Sequence, residues 1–275
     1  MGDYSEIQRK MGSSNPKERE EAARKIGSTF SELENKDQAW KDLVALTKDP
    51  DSHVQRGMAG ALLLEFQYLT DKDQASKDLM MELTKDPNSY VRWGAASALG
   101  SAFQYVTDKD QAWKDLLALA KDQDSEVRRR TAEALGSAFQ YLPDKDQASK
   151  DLLALTKDQN RDVRWGAASA LGSAFQYLPD KDQAWKDLLA LLKDEVSYVQ
   201  SVAKDALGST FQYLSDKDQA SKDLLTLTKD QNSYVRWRAA DALSSAFQYL
   251  PDKDQAWKDL LALTKDEDSN VRWRA

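Results

Sequence analysis

A segment of 36 or 37 residues recurs seven times along this chain, and this period constrains the fold more than any other feature. A fixed period of this length is typical of repeat architectures, in which each unit contacts only its neighbours. One copy is too short to bury its own apolar face, so the copies must be stabilised by stacking on one another. The copies begin at Lys36, Lys72, Lys109, Lys145, Lys181, Lys217 and Lys253.

Each copy carries the pattern of two amphipathic helices. In the third copy, the sequence Asp-Lys-Asp-Gln at 108–111 resembles a capping box, which marks the start of a first helix. Ala112, Leu116 and Leu119 then recur with helical spacing. We therefore predict an all-α fold of helix pairs, with the second helix ending near a proline where a copy has one. The N-caps expected for the second helices are Asp51, Asn88, Asp124, Asn160, Asn232 and Asp268.

The repeats also predict the domain organisation. Residues 1–35 precede the first copy and resemble a divergent helix pair, so we expect them to cap the array. Residues 36–275 hold the seven repeats, and the last copy stops within its second helix. Because a repeat array grows by adding units, its length does not require separate globular domains. We therefore expect one continuous body.

Composition and charge argue against several classes of function. The chain has no cysteine, which excludes disulfides, thiolate zinc sites and cysteine nucleophiles. It has a single histidine, His53. The aspartates recur in every copy, as expected for helix caps and solvated charge rather than for one acid–base pair. We therefore expect no catalytic residues, no metal site and no cofactor, and we predict that the protein is not an enzyme.

The charge balance and hydropathy bear on partners and location. The net charge of −7 argues against a nucleic-acid footprint, which needs clustered lysine and arginine. No apolar run approaches the roughly 20 residues of a membrane span. We therefore expect a cytoplasmic protein that does not enter a membrane and is a monomer, with end-to-end association as the alternative.

The paired helices, the Asp-x-x-x-x-Val-Arg spacing and the Ala-Ala-x-Ala-Leu-Gly run resemble HEAT repeats, particularly the short bacterial and archaeal class also found in phycobilisome lyases. The resemblance implies a right-handed α-solenoid whose second helices line a concave surface that holds another protein. It also implies an Asp–Arg ladder between neighbouring units, which Gln55 and Gln200 would interrupt. The implied pairs are Asp86 with Arg92, Asp122 with Arg128, Asp158 with Arg164, Asp230 with Arg236, and Asp266 with Arg272.

Aromatic and charged residues alternate along the presumed concave face. In the second copy, Tyr90 and Trp93 fall opposite the buried stripe that contains Val91 and Leu99. Exposed Trp, Tyr and Arg are the residue types that anchor protein interfaces. The alternative is that the Trp rings lie flat between adjacent second helices and only seal the stack. The predicted partner-binding residues are Tyr90, Trp93, Arg129, Arg130, Trp165, Tyr198, Tyr234, Trp237 and Arg238.

Tryptophan and serine alternate at the position after each KDQA segment. The alternation arises either from duplication of a two-repeat unit or from the exchange of large and small residues that keeps the packing volume constant. The residues are Trp40, Ser76, Trp113, Ser149, Trp185, Ser221 and Trp257.

These observations favour a non-catalytic scaffold that binds a partner protein or peptide along the concave second-helix face. Three alternatives stay open at this point. The chain could assist cofactor or chromophore attachment, as HEAT-like lyases do, or bind DNA through the arginines of the groove. It could also form a self-stacking structural solenoid by head-to-tail contacts.

Overall fold

The computed structural model describes residues 4–62 and 66–274, and all regular secondary structure within these ranges is helical. The helices form two compact units, unit one at Met1–Pro143 and unit two at Asp144–Ala275. In unit one the α-helices are α1 (Tyr4–Met11), α2 (Pro16–Thr29), α3 (Lys36–Ala45), α4 (Ser52–Leu62), α5 (Lys72–Met81), α6 (Ser89–Ala102), α7 (Lys109–Leu119) and α8 (Ser125–Ala138). In unit two they are α9 (Lys145–Leu155), α10 (Arg161–Ala174), α11 (Lys181–Leu191), α12 (Ser197–Thr210), α13 (Lys217–Leu227), α14 (Ser233–Ala246), α15 (Lys253–Leu263) and α16 (Ser269–Arg274).

The odd-numbered helices are the first helices of the pairs, and the even-numbered helices are the second helices. This arrangement confirms the predicted all-α class of paired helices. The expectation that the whole chain forms one continuous body stays a prediction.

The expected N-caps form at both helices of a repeat. Asp108, ahead of α7, accepts a hydrogen bond from the backbone N–H of Gln111 at 3.0 Å. Asp124, ahead of α8, accepts one from the backbone N–H of Glu126 at 2.9 Å. The side chain of Gln111 donates forward to Asp115 at 3.0 Å instead of back to the cap, so only half of a capping box forms. These acceptors satisfy amide groups that have no partner inside the helix.

A short 3₁₀ turn follows most of the second helices. In the third copy, α8 ends at Ala138 and the turn Phe139–Tyr141 separates it from Pro143. Phe139 is fully buried, and its carbonyl accepts a hydrogen bond from the backbone N–H of Leu142 at 3.2 Å. The proline therefore follows the turn and does not itself end the helix.

Small residues let neighbouring second helices approach closely. A Cβ atom added at Gly100 of α6 would lie 2.5 Å from the Cβ of Ala134 in α8. In unit two, a Cβ added at Gly208 of α12 would lie 2.6 Å from the Cβ of Ser245 in α14. Any larger residue would push these helix pairs apart, so glycine is required by packing at both positions.

Three of the four tryptophans of the first helices, Trp40, Trp113 and Trp185, are buried, whereas Trp257 of α15 is 56% exposed. Trp40 of α3 is 3% exposed, packs edge-on against Phe66 with ring centroids 6.0 Å apart, and donates its indole N–H to Asp78 of α5 at 3.2 Å. Trp185 repeats this arrangement in unit two, where its indole N–H lies 3.3 Å from Asp223. These rings help to bury the first helices, and both explanations of the Trp–Ser alternation stay predictions.

An Asp–Arg ladder links neighbouring repeats, with a geometry that differs from the predicted pairs. Arg92 donates from Nη1 to the backbone carbonyl of Asp86 in its own repeat at 2.8 Å. Its Nε and Nη2 atoms donate to the carboxylate of Asp122 in the next repeat, at 2.6 and 2.8 Å. The carboxylate of Asp86 instead accepts the backbone N–H of Asn88 at 2.8 Å. The side-chain pair therefore joins residues 30 positions apart, whereas the resemblance implied residues six positions apart.

The same bidentate pair recurs in both units. Arg19 of α2, which belongs to none of the predicted pairs, binds Asp49 at 2.6 and 2.9 Å. The side chains of Arg92 and Asp122 are only 9% and 10% exposed, so each charge depends on its partner for solvation. The pairs in unit two are Arg164 with Asp194 and Arg236 with Asp266.

Gln55 and Gln200 stand where the other repeats have the ladder arginine. Gln200 donates to the backbone carbonyl of Asp194 at 2.6 Å, as the arginine does, but carries no charge for the next carboxylate. Its side-chain oxygen instead accepts a hydrogen bond from Arg238 of the next repeat. The side-chain oxygen of Gln55 likewise accepts from Asn88 of the next repeat. At these two glutamines, a hydrogen bond replaces the ion pair. The later repeat donates to the earlier one, whereas in the ladder the earlier repeat donates to the later one.

Candidate protein-binding surface

The predicted partner-binding residues lie on the second helices of both units. We call the side of these helices that carries them the second-helix face, formed by α2, α4, α6 and α8 in unit one and by α10, α12 and α14 in unit two.

In unit one, two aromatic residues of α6 pair with arginines of neighbouring second helices. Tyr90 is 39% exposed, and the guanidinium carbon of Arg56 lies 5.9 Å from its ring centroid. Trp93 is half-buried, and the guanidinium carbon of Arg130 lies 5.2 Å from its ring centroid. Cation–π contacts of this kind hold the rings while part of each stays accessible. The Trp93 ring therefore contacts a neighbouring helix and still borders solvent, so both interpretations of this residue stay predictions.

Arg129 and Arg130 on α8 form a network with two glutamates of the same helix. Arg129 donates to both carboxylate oxygens of Glu126 and, at 3.0 Å, to Glu133. Arg130 donates to the same two glutamates at 3.2 and 3.3 Å. The hydrogen bonds from Arg129 lower the pKa of Glu126 below its ordinary value, so this carboxylate stays charged at neutral pH. The positive charge of these two arginines is therefore balanced locally.

A cavity opens on the second-helix face of unit one. It has a volume of about 350 Å³ and lies among α2, α4 and α6. Two arginines and one tryptophan stand over a floor of small residues. Of the lining residues, only Trp93 belongs to the predicted set. The lining comprises Arg24, Gly27, Ser28, Arg56, Gly57, Gly60, Ala61 and Trp93.

In unit two, Tyr198 contacts both an acidic and a basic side chain. Tyr198 is 38% exposed and donates its hydroxyl to Asp162 at 2.5 Å. The guanidinium carbon of Arg161 lies 5.9 Å from the Tyr198 ring centroid. Tyr234 is 55% exposed, and Trp165 is half-buried.

Arg238 does not lie on the surface, in contrast to the prediction. It is 5% exposed and lies between α12 and α14, where it donates to Gln200 at 3.1 Å and to the carbonyl of Ser197 at 2.8 Å. Its guanidinium carbon lies 4.5 Å from the ring centroid of Trp237, which is half-buried. Arg238 therefore holds two second helices together and is not accessible to a partner. The side chain is drawn inward because Gln200 supplies an acceptor where other repeats have an arginine.

The chain matches the model of a known repeat family. The family model for HEAT repeats matches residues 7–100, 67–136 and 113–208. The chain belongs to the HEAT-repeat family. No curated protein sequence matches the chain significantly.

Solved structures of HEAT solenoids resemble the chain in fold. Yeast importin-β (Kap95p) is 16% identical, with a TM-score of 0.70 over 97% of this chain and 39% of that chain. Kap121p is also 16% identical, with a TM-score of 0.52 over 98% of this chain and 36% of that chain. An engineered protein is 24% identical, with a TM-score of 0.50 over 99% of this chain and 76% of that chain. At these identities the likeness extends to the HEAT-repeat α-solenoid fold alone.

The described residues contain no helix that is both long and apolar enough to cross a membrane.

Proposed function

We propose that the chain is a non-catalytic scaffold that binds a partner protein through the second-helix face. The observation that carries this proposal is the set of exposed tyrosines beside arginines on that face. Tyr90 and Tyr198 each lie within 5.9 Å of a guanidinium carbon while more than a third of their surface stays exposed. Large amphipathic rings held in place supply contact area at low entropic cost.

The family and its structural neighbours support a role in protein binding. HEAT repeats build extended surfaces from stacked helix pairs, and such surfaces commonly hold other proteins. Kap95p, which shares the fold, binds RanGDP. The identity of a partner for this chain does not follow from a shared fold.

The test is a triple substitution on the second-helix face with a matched control. Tyr90, Tyr198 and Tyr234 are changed to alanine in one variant. In the control variant, Tyr68, Tyr141 and Tyr213 are changed instead, because these are 42%, 37% and 41% exposed but lie on the 3₁₀ turns. Both variants and the original chain capture partners from a lysate of the source organism, and bound proteins are identified by mass spectrometry.

We expect at least one partner to bind the original chain and the control variant but not the second-helix variant. Equal capture by all three proteins would rule out the second-helix face as the binding surface. Circular dichroism spectra of the three proteins check that each variant keeps its helical fold.

The other functional expectations stay predictions. They are a role in cofactor or chromophore attachment, DNA binding, end-to-end stacking and a cytoplasmic location. No contact in the described residues favours one of them over the scaffold proposed here.

A further inference from the structure

The cavity on unit one contains a glycine that packing does not require. A Cβ atom added at Gly60 of α4 would meet no neighbouring atom within 4 Å. At Gly94 of α6, by contrast, an added Cβ would lie 2.7 Å from the Cα of Ala59. Glycine weakens the interior of a helix relative to alanine, so Gly60 is unfavourable for the helix and is not needed by any neighbour. What the missing side chain does provide is the opening of the cavity.

The corresponding position of the other repeats carries a side chain. The position lies six residues after the buried valine of each second helix. Six copies reach this position, and only copy one has a glycine there. The corresponding residues are Ser97, Glu133, Ser169, Asp205 and Asp241.

The charges around this cavity favour a carboxylate. Arg56 is exposed and has no ion pair or hydrogen bond within the described residues, while its guanidinium group lies over the ring of Tyr90. Arg24 pairs with Glu20 of its own helix at 2.7 Å, an exposed pair that contributes little and is easily exchanged. Two guanidinium groups and one carboxylate leave a net charge of one positive unit at the rim.

The floor of the cavity consists of small residues, among which Ser28 contributes the only side-chain hydroxyl. Gly57, Gly60 and Ala61 expose only backbone and methyl groups, and Trp93 forms one wall. A volume of about 350 Å³ lies at the small end of ligand cavities, which suits one large side chain rather than a whole cofactor. An extended polyanion needs a longer run of cations than these two arginines, and the net charge of −7 repels it.

We propose that this cavity binds a peptide segment of a partner protein that places a large aliphatic or aromatic side chain next to an aspartate or glutamate. The apolar side chain lies over Gly60 against Trp93, and the carboxylate pairs with Arg56. This inference rests on the proposed scaffold function and names the chemistry of the segment recognised in unit one.

The experiment selects ligands from a displayed library of random 12-residue peptides on the full-length chain. Enriched peptides are synthesised with acetylated and amidated ends, so that only side chains supply carboxylates. Their affinities are measured by fluorescence polarisation for the original chain and for three variants: Gly60→Leu, which fills the cavity, Gly60→Ala, its matched control, and Arg56→Gln, which removes the unpaired charge.

We expect the enriched peptides to share an acidic residue beside a large apolar one. Gly60→Leu should weaken their binding about tenfold or more, and Gly60→Ala by less than about threefold. Arg56→Gln should weaken binding about three- to tenfold and reduce its dependence on salt concentration. Helical content and the thermal midpoint of Gly60→Leu check that the loss of binding does not reflect unfolding.

Four results would overturn the proposal: no enriched class of peptides, enrichment of basic peptides, equal binding by the Gly60→Leu variant, or displacement of the peptides by single-stranded DNA. A dimer in sedimentation that Gly60→Leu abolishes would assign the cavity to a second copy of the chain and would also overturn it. If the tyrosine variant still loses a partner while the peptide selection fails, the scaffold function stands and only the inference about this cavity falls.

Discussion

The two units carry the same stacking contacts but different second-helix faces. In unit one, α2, α4 and α8 contribute four arginines to this face, two of which line an open cavity. In unit two, Tyr198 donates to an aspartate, and Lys204 bridges Asp205 and Asp241 at 2.6 and 3.0 Å. The buried contacts repeat because each repeat must fit the next one, whereas the exposed side chains can change without disturbing the stack. The exposed side chains of the two second-helix faces therefore differ in their chemistry.

Loss of the ladder at acid pH is the largest effect expected, because several carboxylates lose their partners together. The hydrogen bonds from Arg19 and Arg236 lower the pKa of Asp49 and Asp266 below the ordinary value of about 3.9. Since the folded-state pKa is the lower one, these pairs stabilise the fold fully above about pH 4 and lose that effect as the pH falls through the folded-state value. We expect the urea midpoint to fall between pH 5 and pH 3, with pepsin cleaving both units at pH 3.

The control for this prediction is a variant with Arg19→Gln and Arg236→Gln, whose midpoint should depend less on pH. Cleavage of only one unit by pepsin would show that the two ladders are not equivalent. A midpoint of the original chain that does not change between pH 5 and pH 3 would contradict the ladder's contribution.

Removing one ladder arginine is expected to have the next largest effect. Arg92→Ala leaves the carboxylate of Asp122 buried without its partner, which costs about 3–5 kcal/mol in the free energy of unfolding. Arg236→Ala should destabilise unit two in the same direction. Urea unfolding followed by circular dichroism measures both variants.

Arg92→Gln is the matched variant, because glutamine occupies this position in two other repeats of the chain, at Gln55 and Gln200. It keeps a donor for the carbonyl of Asp86, so we expect a smaller loss than for Arg92→Ala. A cost below about 1 kcal/mol for Arg92→Ala would mean that this pair does not hold the repeats together.

Two glycine substitutions are expected to have the smallest effects, with opposite signs. Gly100→Ala forces α6 and α8 apart, since the new Cβ would meet Ala134 at 2.5 Å, and should lower the free energy of unfolding by about 1–3 kcal/mol. Gly60→Ala meets no neighbour and should raise it by about 0.5–1 kcal/mol. Thermal and urea midpoints measure both changes. A loss of stability in Gly60→Ala would show that the cavity floor is packed more tightly than its geometry indicates.

Local features of the fold could be predicted from the sequence, and features that depend on a neighbouring repeat could not. Asp108 and Asp124 were predictable as N-caps because the groups that they bind lie two or three residues away. The carboxylate partner of Arg92 lies 30 residues away, so a motif within one repeat suggested the wrong aspartate. Arg19 was missed for a related reason, since its own turn offers the carbonyl of Ser13 in place of an aspartate.

In the candidate site, too, local features could be predicted and features that depend on a neighbouring repeat could not. The sequence periodicity predicted Tyr90 and Trp93 on the side of α6 opposite its buried stripe; Tyr90 is 39% exposed, Trp93 is half-buried, and their role in binding stays a prediction. The burial of Arg238 depends on Gln200 in the preceding second helix, which no pattern within one repeat contains. Gly100 and Gly60 both lie inside second helices, but close packing requires glycine only at Gly100. Only the neighbouring helices distinguish the two.

The ladder ion pairs all join residues with the same separation in sequence, and this affects how the number of repeats can change during evolution. Arg19, Arg92, Arg164 and Arg236 each bind a carboxylate 30 residues ahead, as in Arg19 with Asp49 and Arg164 with Asp194. Unequal recombination that adds or deletes one whole 36-residue block therefore rejoins a guanidinium group to an equivalent carboxylate, wherever within the repeat the crossover falls. The junctions at Gln55 and Gln200 are the exceptions, because a crossover there replaces an Arg–Asp ion pair by a hydrogen bond between a neutral glutamine and a charged or neutral side chain. The gene can thus lengthen or shorten the array in units of one repeat while each new junction inherits a working contact.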